Sequence, residues 1–325
     1  MSGQTVTLTE VARACGLSVS AVSYALRGAP NIPAATADRV RRTAETLGYR
    51  PHPRVAELMA HIRRARQPGP GERLAFVWMD APFRSRPFAT LWTGARDRAE
   101  QLGFALEEFW LKEPGLTATR LETILTARGL TGVILSPLSR EARYDLRWNW
   151  QNFAGAVIGN AAGFPELPRS GHHHFSGMRE AISRLTAKGH LRIATWLDAG
   201  VNERAKRAWS GAFLAHHPLP SQARSLLWLI QSDTTTDFSR WWEQRRPEAL
   251  ITLGTFVPLL PKAALRQPVV LLDRTPNEQT FPGIDQAEDL LAARAVDLVT
   301  GQLARHERGL PDLPAQFLLP GRWRE

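Results

Sequence analysis

Apolar residues in the first fifty positions recur at the spacing of helices that bury one face. The pattern predicts three short helices: one beginning at Leu8, a second from Val19 to Leu26, and a third over about 34–47. The residues predicted to meet in a shared core are Leu8, Val11, Ala12, Cys15, Leu17, Val22, Ala25, Leu26, Val40, Ala44 and Leu47.

The boundaries of the first two helices carry specific signals. Thr7 followed by Glu10 is a capping box, in which each side chain bonds to the backbone of the other residue. Gly16 suits a left-handed residue after the first helix, and Ser18 can cap the second. Two short helices joined by a tight glycine turn predict a helix-turn-helix, with a small helical bundle as the alternative.

From residue 74 onward, short apolar runs alternate with helical segments. The predicted strands are Leu74–Trp78, Ala105–Trp110, Gly132–Leu135, Ala156–Ile158, Ile193–Leu197, Leu226–Ile230, Ala249–Leu253 and Val269–Leu272. The predicted helices are Phe88–Leu102, Thr119–Ala127, Gly177–Lys188 and Phe238–Arg245, with another ending near Arg305. This alternation is typical of parallel α/β layers. The number of strand–helix units suggests two sheets side by side.

The segment between these regions contains closely spaced prolines. Pro51 and Pro53 end the third helix, and Pro53 suits the first turn of a new one. Val55, Leu58, Met59 and Ile62 then form a compact apolar stripe. A helix this short is marginal alone and would need DNA and a partner hinge to form; a plain linker is the alternative. We therefore predict a headpiece (1–50), a hinge helix and linker (51–73) and a body (74–325).

The headpiece and hinge contain an excess of positively charged residues. The chain has a net charge of +10, and residues 1–66 contain ten arginines, no lysine and four acidic residues. Such a surplus suggests a polyanionic partner at this end, although a solvated basic surface is the plain alternative.

In a helix-turn-helix, the N-terminal residues of the second helix meet base edges in the major groove. Val19, Ser20, Ser23 and Tyr24 are the exposed candidates here. We expect phosphate contacts from Arg27, Arg50 and the backbone amides near Thr7 and Ser18, which fix register without reading sequence.

In the body, aromatic and polar residues follow the predicted strands. Convergent groups of this kind suit a small polar ligand such as a sugar; the alternative is that the aromatic rings are core and the charges solvated. The candidates are Asp80, Phe83, Arg84, Arg86, Phe88, Ser136, Trp196, Asp198 and Asp273.

Other chemistry lacks support. One cysteine, Cys15, permits no intramolecular disulfide. His172, His173 and His174 lack companions at metal-site spacing, so we predict no metal. There is no nucleophile elbow, P-loop or dinucleotide motif, so we predict neither a cofactor nor an enzyme. Without a signal peptide or a long apolar run, we expect a cytoplasmic protein without membrane contact.

The run VTLTEVARACGLSVSAVSYALRG, followed by LGYRP, resembles the headpiece of LacI/GalR-type repressors. The resemblance implies a homodimer on near-palindromic operator DNA, with a two-lobed body similar to periplasmic sugar-binding proteins. It also implies a hinge helix at Arg54–Met59, whose Leu58 enters the minor groove. The implied DNA-binding residues are Thr7, Leu8, Ser18, Val19, Ser20, Ser23, Tyr24, Arg27, Thr36, Tyr49, His52, Val55 and Leu58.

The body shares landmarks with this family and also departs from it. Asp273 and Gln286 fall on positions that commonly face the effector. Arg207 lies beside Ala208, which stands where an arginine is expected. The remaining departures are His52 for Asn, Pro53 near the hinge helix, His173 for Asp, and Gly254–Thr255 for Asn-Asp. No particular ligand can therefore be transferred. Three hypotheses for the function remain: a repressor modulated by a small effector, a regulator whose body only dimerises, and a DNA-tethered carbohydrate-active enzyme.

Overall fold

The computed structural model describes residues 6–26, 32–49, 72–79, 88–137, 144–159, 163–230, 235–275 and 278–325. Its first three helices are α1 (Leu8–Cys15), α2 (Val19–Leu26) and α3 (Ala34–Leu47). These bounds confirm the predicted headpiece helices.

The three headpiece helices pack around one small core. Val11, Val22, Ala25 and Val40 have no solvent exposure, and Cys15 is buried beside them. The prediction that Leu47 joins this core is wrong, because Leu47 lies at the end of α3 and is 38% exposed. Gly16 has a φ of 64°, the left-handed backbone that lets the chain turn tightly from α1 into α2.

The first lobe of the body is a six-stranded parallel sheet in the order β13-β7-β5-β3-β1-β2. The strands are β1 (Arg73–Trp78), β2 (Ala105–Trp110), β3 (Gly132–Leu135), β5 (Ala154–Ile158), β7 (Arg169–His172) and β13 (Gln316–Leu319). A separate ribbon pairs β4 (Tyr144–Asp145) with β6 (Gly163–Phe164).

Helices cover both faces of this sheet, as parallel sheets require. Helices α4 (Phe88–Gln101) and α12 (Glu288–Arg305) pack on one face, against Leu74, Phe76 and Ile134. Helix α5 (Ala118–Ala127) packs on the opposite face. A 3₁₀ turn, Trp150–Asn152, lies on that second side.

The second lobe is a six-stranded sheet in the order β14-β12-β11-β10-β8-β9, parallel except for β14. Its strands are β8 (Ile193–Asp198), β9 (Leu227–Ile230), β10 (Ala249–Thr252), β11 (Val269–Arg274), β12 (Gly283–Asp285) and β14 (Arg322–Arg324). Its helices are α6 (His174–Ala187), α7 (Ala199–Arg204), α8 (Ala208–His216), α9 (Pro220–Ala223), α10 (Thr235–Arg245) and α11 (Lys262–Leu265), with 3₁₀ turns at Arg224–Leu226 and Gly254–Leu259.

The chain passes between the lobes three times. It leaves the first lobe after β7 and enters the second at α6; it returns between β12 and α12, and leaves again between β13 and β14. Each lobe is therefore assembled from separate stretches of sequence. The two-sheet α/β architecture expected from the alternation is confirmed.

Most predicted elements of the body are present with ends shifted by a few residues. The strands at Ala105–Trp110 and Gly132–Leu135 have the expected bounds. The sequence interpretation missed the strands β4, β6, β7, β12, β13 and β14 and the helices α7, α8, α9 and α11, and it located only the end of α12. Among the described residues, no helix has the length and apolarity needed to cross a membrane.

Candidate DNA-binding surface and effector site

Helix α2 presents two large side chains to solvent. Val19 is 42% exposed and Tyr24 is 47% exposed, while Val22 and Ala25 on the same helix are fully buried. The hydroxyl of Ser18 accepts a hydrogen bond from the backbone N–H of Ala21 at 3.1 Å, which caps the helix. The exposed face is thus held in place by a rigid core.

The N-terminus of α1 carries a complete capping box. The backbone N–H and the hydroxyl of Thr7 both donate to the Glu10 carboxylate, at 2.6 and 2.9 Å. These bonds, the backbone one above all, lower the pKa of Glu10. The sequence predicts a phosphate contact near the backbone N–H of Thr7, but in the structure this N–H donates to the Glu10 carboxylate instead.

Other residues in the predicted DNA-binding set support the headpiece core. Leu8 and Tyr49 are half-buried and pack against it, and Thr36 is half-buried in the first turn of α3. Arg39 of α3 donates to the backbone oxygen of Cys15 at 3.4 Å, which ties α3 to α1.

Several predicted contacts lie outside the described residues. The side chains of Ser20 and Ser23 belong to this group, although their backbone is part of α2. Arg27, Arg50, His52, Val55 and Leu58 belong to it as well, so the hinge helix and its minor-groove leucine stay predictions.

Residues 7–52 match the sequence model of a family described as bacterial regulatory proteins, lacI family. The matched segment contains the capping box, the glycine turn and all three helices. This segment of the chain is therefore a headpiece of the lacI family.

Solved structures of transcription regulators resemble this chain in fold, two of them over nearly its whole length. The transcriptional regulator CelR in complex with cellobiose is 22% identical, with 98% of each chain covered and a TM-score of 0.54. The lac repressor dimer bound to operator and the anti-inducer ONPF is 18% identical, covering 99% of this chain and 98% of that one, with a TM-score of 0.53. CcpA of Lactococcus lactis is 14% identical over 78% of this chain and 98% of its own, with a TM-score of 0.55.

At these identities the likeness establishes the fold, a headpiece followed by a two-lobed body. A comparison with curated proteins finds no match.

Within the body, the predicted effector residues lie in different environments. Asp80 and Arg86 fall outside the described residues, as does the side chain of Phe88, whose backbone begins α4. Ser136 follows β3 and is buried; its hydroxyl accepts from the backbone N–H of Met79 at 3.0 Å and donates to the carbonyl of Pro137 at 3.1 Å. Its bonds join two neighbouring strand ends of the first lobe.

Asp273 lies in β11 of the second lobe, and Gln286 directly follows the neighbouring strand β12. The carboxylate of Asp273 accepts from the backbone N–H of Gly254 at 2.6 Å, and the amide of Gln286 donates to the carbonyl of Leu272 at 2.8 Å. Both side chains thus organise the ends of strands in the second lobe.

A carboxyl group that the sequence interpretation missed lies close by. Glu288, the first residue of α12, accepts a hydrogen bond from Thr90 of α4 at 2.7 Å. Burial raises the pKa of Glu288 to about 7, and the charges of Asp285 and Asp273 act in the same direction. A carboxyl group that titrates near neutral pH therefore lies where the chain returns to the first lobe.

Arg207 lies at the surface of the second lobe. It precedes α8 with a φ of 56°, and its guanidinium forms an ion pair with Glu203 at 2.7 Å.

The expected position of Trp196 in a loop after a strand is wrong. Trp196 lies within β8 and has no solvent exposure. Its ring stacks on Phe238 and Phe256, with centroid distances of 3.9 and 5.0 Å. Here the alternative given by the sequence, a core aromatic residue, describes the side chain.

The three consecutive histidines occupy the first crossing between the lobes. His172 ends β7, His173 caps α6 by accepting from the backbone N–H of Ser176 at 3.2 Å, and His174 begins α6. The rings of His172 and His174 come together, with centroids 5.4 Å apart. Within the described part of the chain, no group of three or more His, Cys, Asp or Glu residues is arranged to hold a metal ion.

Proposed function

We propose that this LacI-family regulator is a homodimeric repressor that binds a near-palindromic operator through α2 and responds to a small ligand in its body. The observation that carries the proposal is the exposed Val19 and Tyr24 on a helix whose other face is buried by α1 and α3. A rigid helix with exposed apolar and aromatic side chains suits contact with thymine methyl groups and base edges.

The basic headpiece supplies the sequence-independent part of binding. Arg39, Arg41 and Arg42 of α3 are exposed, within a segment that holds ten arginines and four acidic residues. Arginines near phosphates release counterions, so affinity should fall steeply with salt. The lac repressor dimer, a similar structure, is bound to operator DNA, which supports a two-fold arrangement here.

The test is selection of DNA sites from a random pool with the full chain. The proposal expects an enriched near-palindrome whose half-sites are about one helical turn apart. Enrichment of no motif, with only salt-sensitive bulk binding, would contradict sequence-specific regulation and leave the headpiece as a non-specific anchor.

For the hinge, Leu58→Ala is the informative change. If Leu58 enters the minor groove, its loss weakens binding to the selected site while sparing most binding to random DNA. Equal losses on both DNAs would count against the wedge. The comparison belongs at one fixed salt concentration, since both affinities depend on salt.

The proposed effector site lies where the lobes approach each other and includes Ser136, Asp273 and Gln286. Ligands of parallel α/β sheets bind beyond the carboxyl ends of the strands, and these residues lie at or near such ends. The structure of CelR contains cellobiose, which supports a carbohydrate as the first class to test.

A second candidate, a body that only dimerises, is favoured by one observation. At the carboxyl end of β8, the side chains of Trp196, Phe238 and Phe256 pack closely on one another in the second lobe. Thermal unfolding of the full chain against mono- and disaccharides separates the candidates. A ligand at one hundred times its Kd adds about 2.7 kcal/mol of stability; no shift across the panel would favour the second candidate.

A further inference from the structure

The three crossings between the lobes converge on one point of the body. A cavity of about 10 Å³ lies there, and each crossing contributes to its wall: His173 from the first, Gln286 from the second and Gly321 from the third. Relative motion of the lobes must change backbone angles at these crossings. The contacts of side chains packed among the crossings therefore depend on how the lobes are arranged.

Three rings contact one another in succession beside this cavity, tilted by 43° and 51°, and are called the His–Trp stack below. His172, the last residue of β7 in the first lobe, contacts His174 at a centroid distance of 5.4 Å. His174 contacts Trp209 of α8, in the second lobe, at 4.2 Å. Trp209 is buried, and Nδ1 of His172 has no solvent exposure. The stack therefore joins a strand of one lobe to a helix of the other.

The environment of the two imidazoles disfavours a proton. Burial lowers the pKa of His172 to about 4, with the backbone of Gln286 acting weakly in the opposite direction. Burial, followed by the charges of His172 and His173, lowers the pKa of His174 to about 3. Both rings are neutral at neutral pH in this arrangement of the lobes.

The charged groups on the surrounding elements are engaged with other partners. They are Arg169 of β7 with the carbonyl of Gly159, Arg184 of α6 with Glu180, Arg207 before α8 with Glu203, Asp273 of β11 with the amide of Gly254, Arg274 of β11 with the carbonyl of Phe281, Asp285 of β12 with Arg324 of β14, and Glu288 of α12 with Thr90. His216 of α8 packs on Phe175. A proton on the stack would have to be accommodated mainly by solvation.

We propose that the His172–His174–Trp209 stack is a proton-sensitive contact between the lobes, which proton uptake weakens in favour of an arrangement with solvated imidazoles. In that second arrangement each ring regains a proton affinity near that of free histidine, about pH 6.5. Below this pH, linkage shifts the equilibrium toward it by up to about tenfold per pH unit and per histidine. A proton thus acts as a ligand with different affinities for the two arrangements.

Single-molecule FRET on the full chain, without DNA, tests this proposal independently of operator binding. Dyes are attached through Arg120→Cys in α5 and Glu243→Cys in α10, both exposed, in a Cys15→Ala background. Labelled chains are diluted into excess unlabelled chains so that each assembly contains a single donor–acceptor dye pair. The FRET distribution is recorded between pH 8 and pH 5.

The compared proteins are the parent, the His172→Gln/His174→Gln variant and a His216→Gln control, which removes an exposed histidine from α8. We expect the distribution to shift as pH falls below about 6.5 in the parent and the control, and to stay constant in the double variant. A parent distribution constant from pH 8 to pH 5, or the same shift in the double variant, overturns the proposal.

Should the double variant fail to fold, NMR titration of the imidazole protons in the parent decides. Resonances of His172 and His174 that titrate over the same pH range as the FRET shift support the proton-sensitive contact. Resonances that titrate while the FRET distribution stays constant overturn it.

Discussion

Tyr24 and Trp196 illustrate how two aromatic residues of one chain reach opposite environments. Tyr24 is 47% exposed, since α1 and α3 cover only the opposite face of its helix, whereas Trp196 is fully enclosed by Phe238 and Phe256. An exposed tyrosine beside a basic surface has the shape and the hydroxyl group for base contact.

Replacing Tyr24 tests its proposed role in reading DNA. We expect Tyr24→Ala to change base preference at one position of each half-site and to weaken the best site by about 1–3 kcal/mol. The measurement is selection from a random pool, followed by titration of the enriched site.

Leu47→Ala is the matched control, because Leu47 is also an exposed large side chain of the headpiece, on α3. It should leave the selected motif unchanged. If the Tyr24→Ala variant selects the same DNA motif as the parent, Tyr24 does not take part in base recognition.

At the level of elements, helix–helix contact in the first lobe depends on close backbone approach. Gly94 of α4 faces α12 so closely that a Cβ atom would collide with the backbone of Asp289. Backbone cannot move aside as the end of a flexible side chain can, so the two helices must separate to admit a methyl group.

We expect Gly94→Ala to destabilise the body by about 1–3 kcal/mol, measured as a lower urea midpoint. Gly211→Ala is the matched control, since Gly211 is also helical, in α8, and a Cβ there meets nothing within 4 Å. It should stabilise by about 0.5–1 kcal/mol. If both substitutions change the free energy of unfolding equally, the α4–α12 contact can rearrange to admit a methyl group.

Elements with local signals could be predicted from the sequence, and elements built by tertiary contacts could not. Helices α1 and α2 have Thr7, Gly16 and Ser18 at their ends, and β3 is a wholly buried apolar run. Helix α12 begins without a side-chain cap, at Ala287 in a left-handed conformation. Strand β7 reads Arg-Ser-Gly-His and is buried through its tertiary contacts with β5, β13 and α12.

Across the whole molecule, half-buried titratable groups link stability to pH in opposite directions. His172 and His174 have a lowered pKa in the folded state, so their contribution is lost as pH falls below about 6.5. Glu288 has a raised pKa, so its contribution is present at low pH and lost as pH rises through about 7.

In the arrangement of the lobes described here, the two histidines should together lower the free energy of unfolding by about 4 kcal/mol between pH 7.5 and 5, and Glu288 should raise it by about 2 kcal/mol. Any population of the arrangement with solvated imidazoles makes the loss from the histidines smaller. We therefore expect a net loss of stability toward pH 5 in urea titrations of the full chain. His174→Gln should nearly abolish that loss and Glu288→Gln should deepen it, while His216→Gln should follow the parent. Parallel curves for all four proteins would contradict this assignment.

The three passages between the lobes also govern the order in which the chain can fold during synthesis. The first lobe needs α12 and β13, which follow every strand of the second lobe except β14. A ribosome must therefore translate nearly the whole chain before that lobe can close, and the exposed face of its sheet has to be protected in the meantime. The headpiece, complete within its first fifty residues, is free of this delay and can fold while the body is still unfinished.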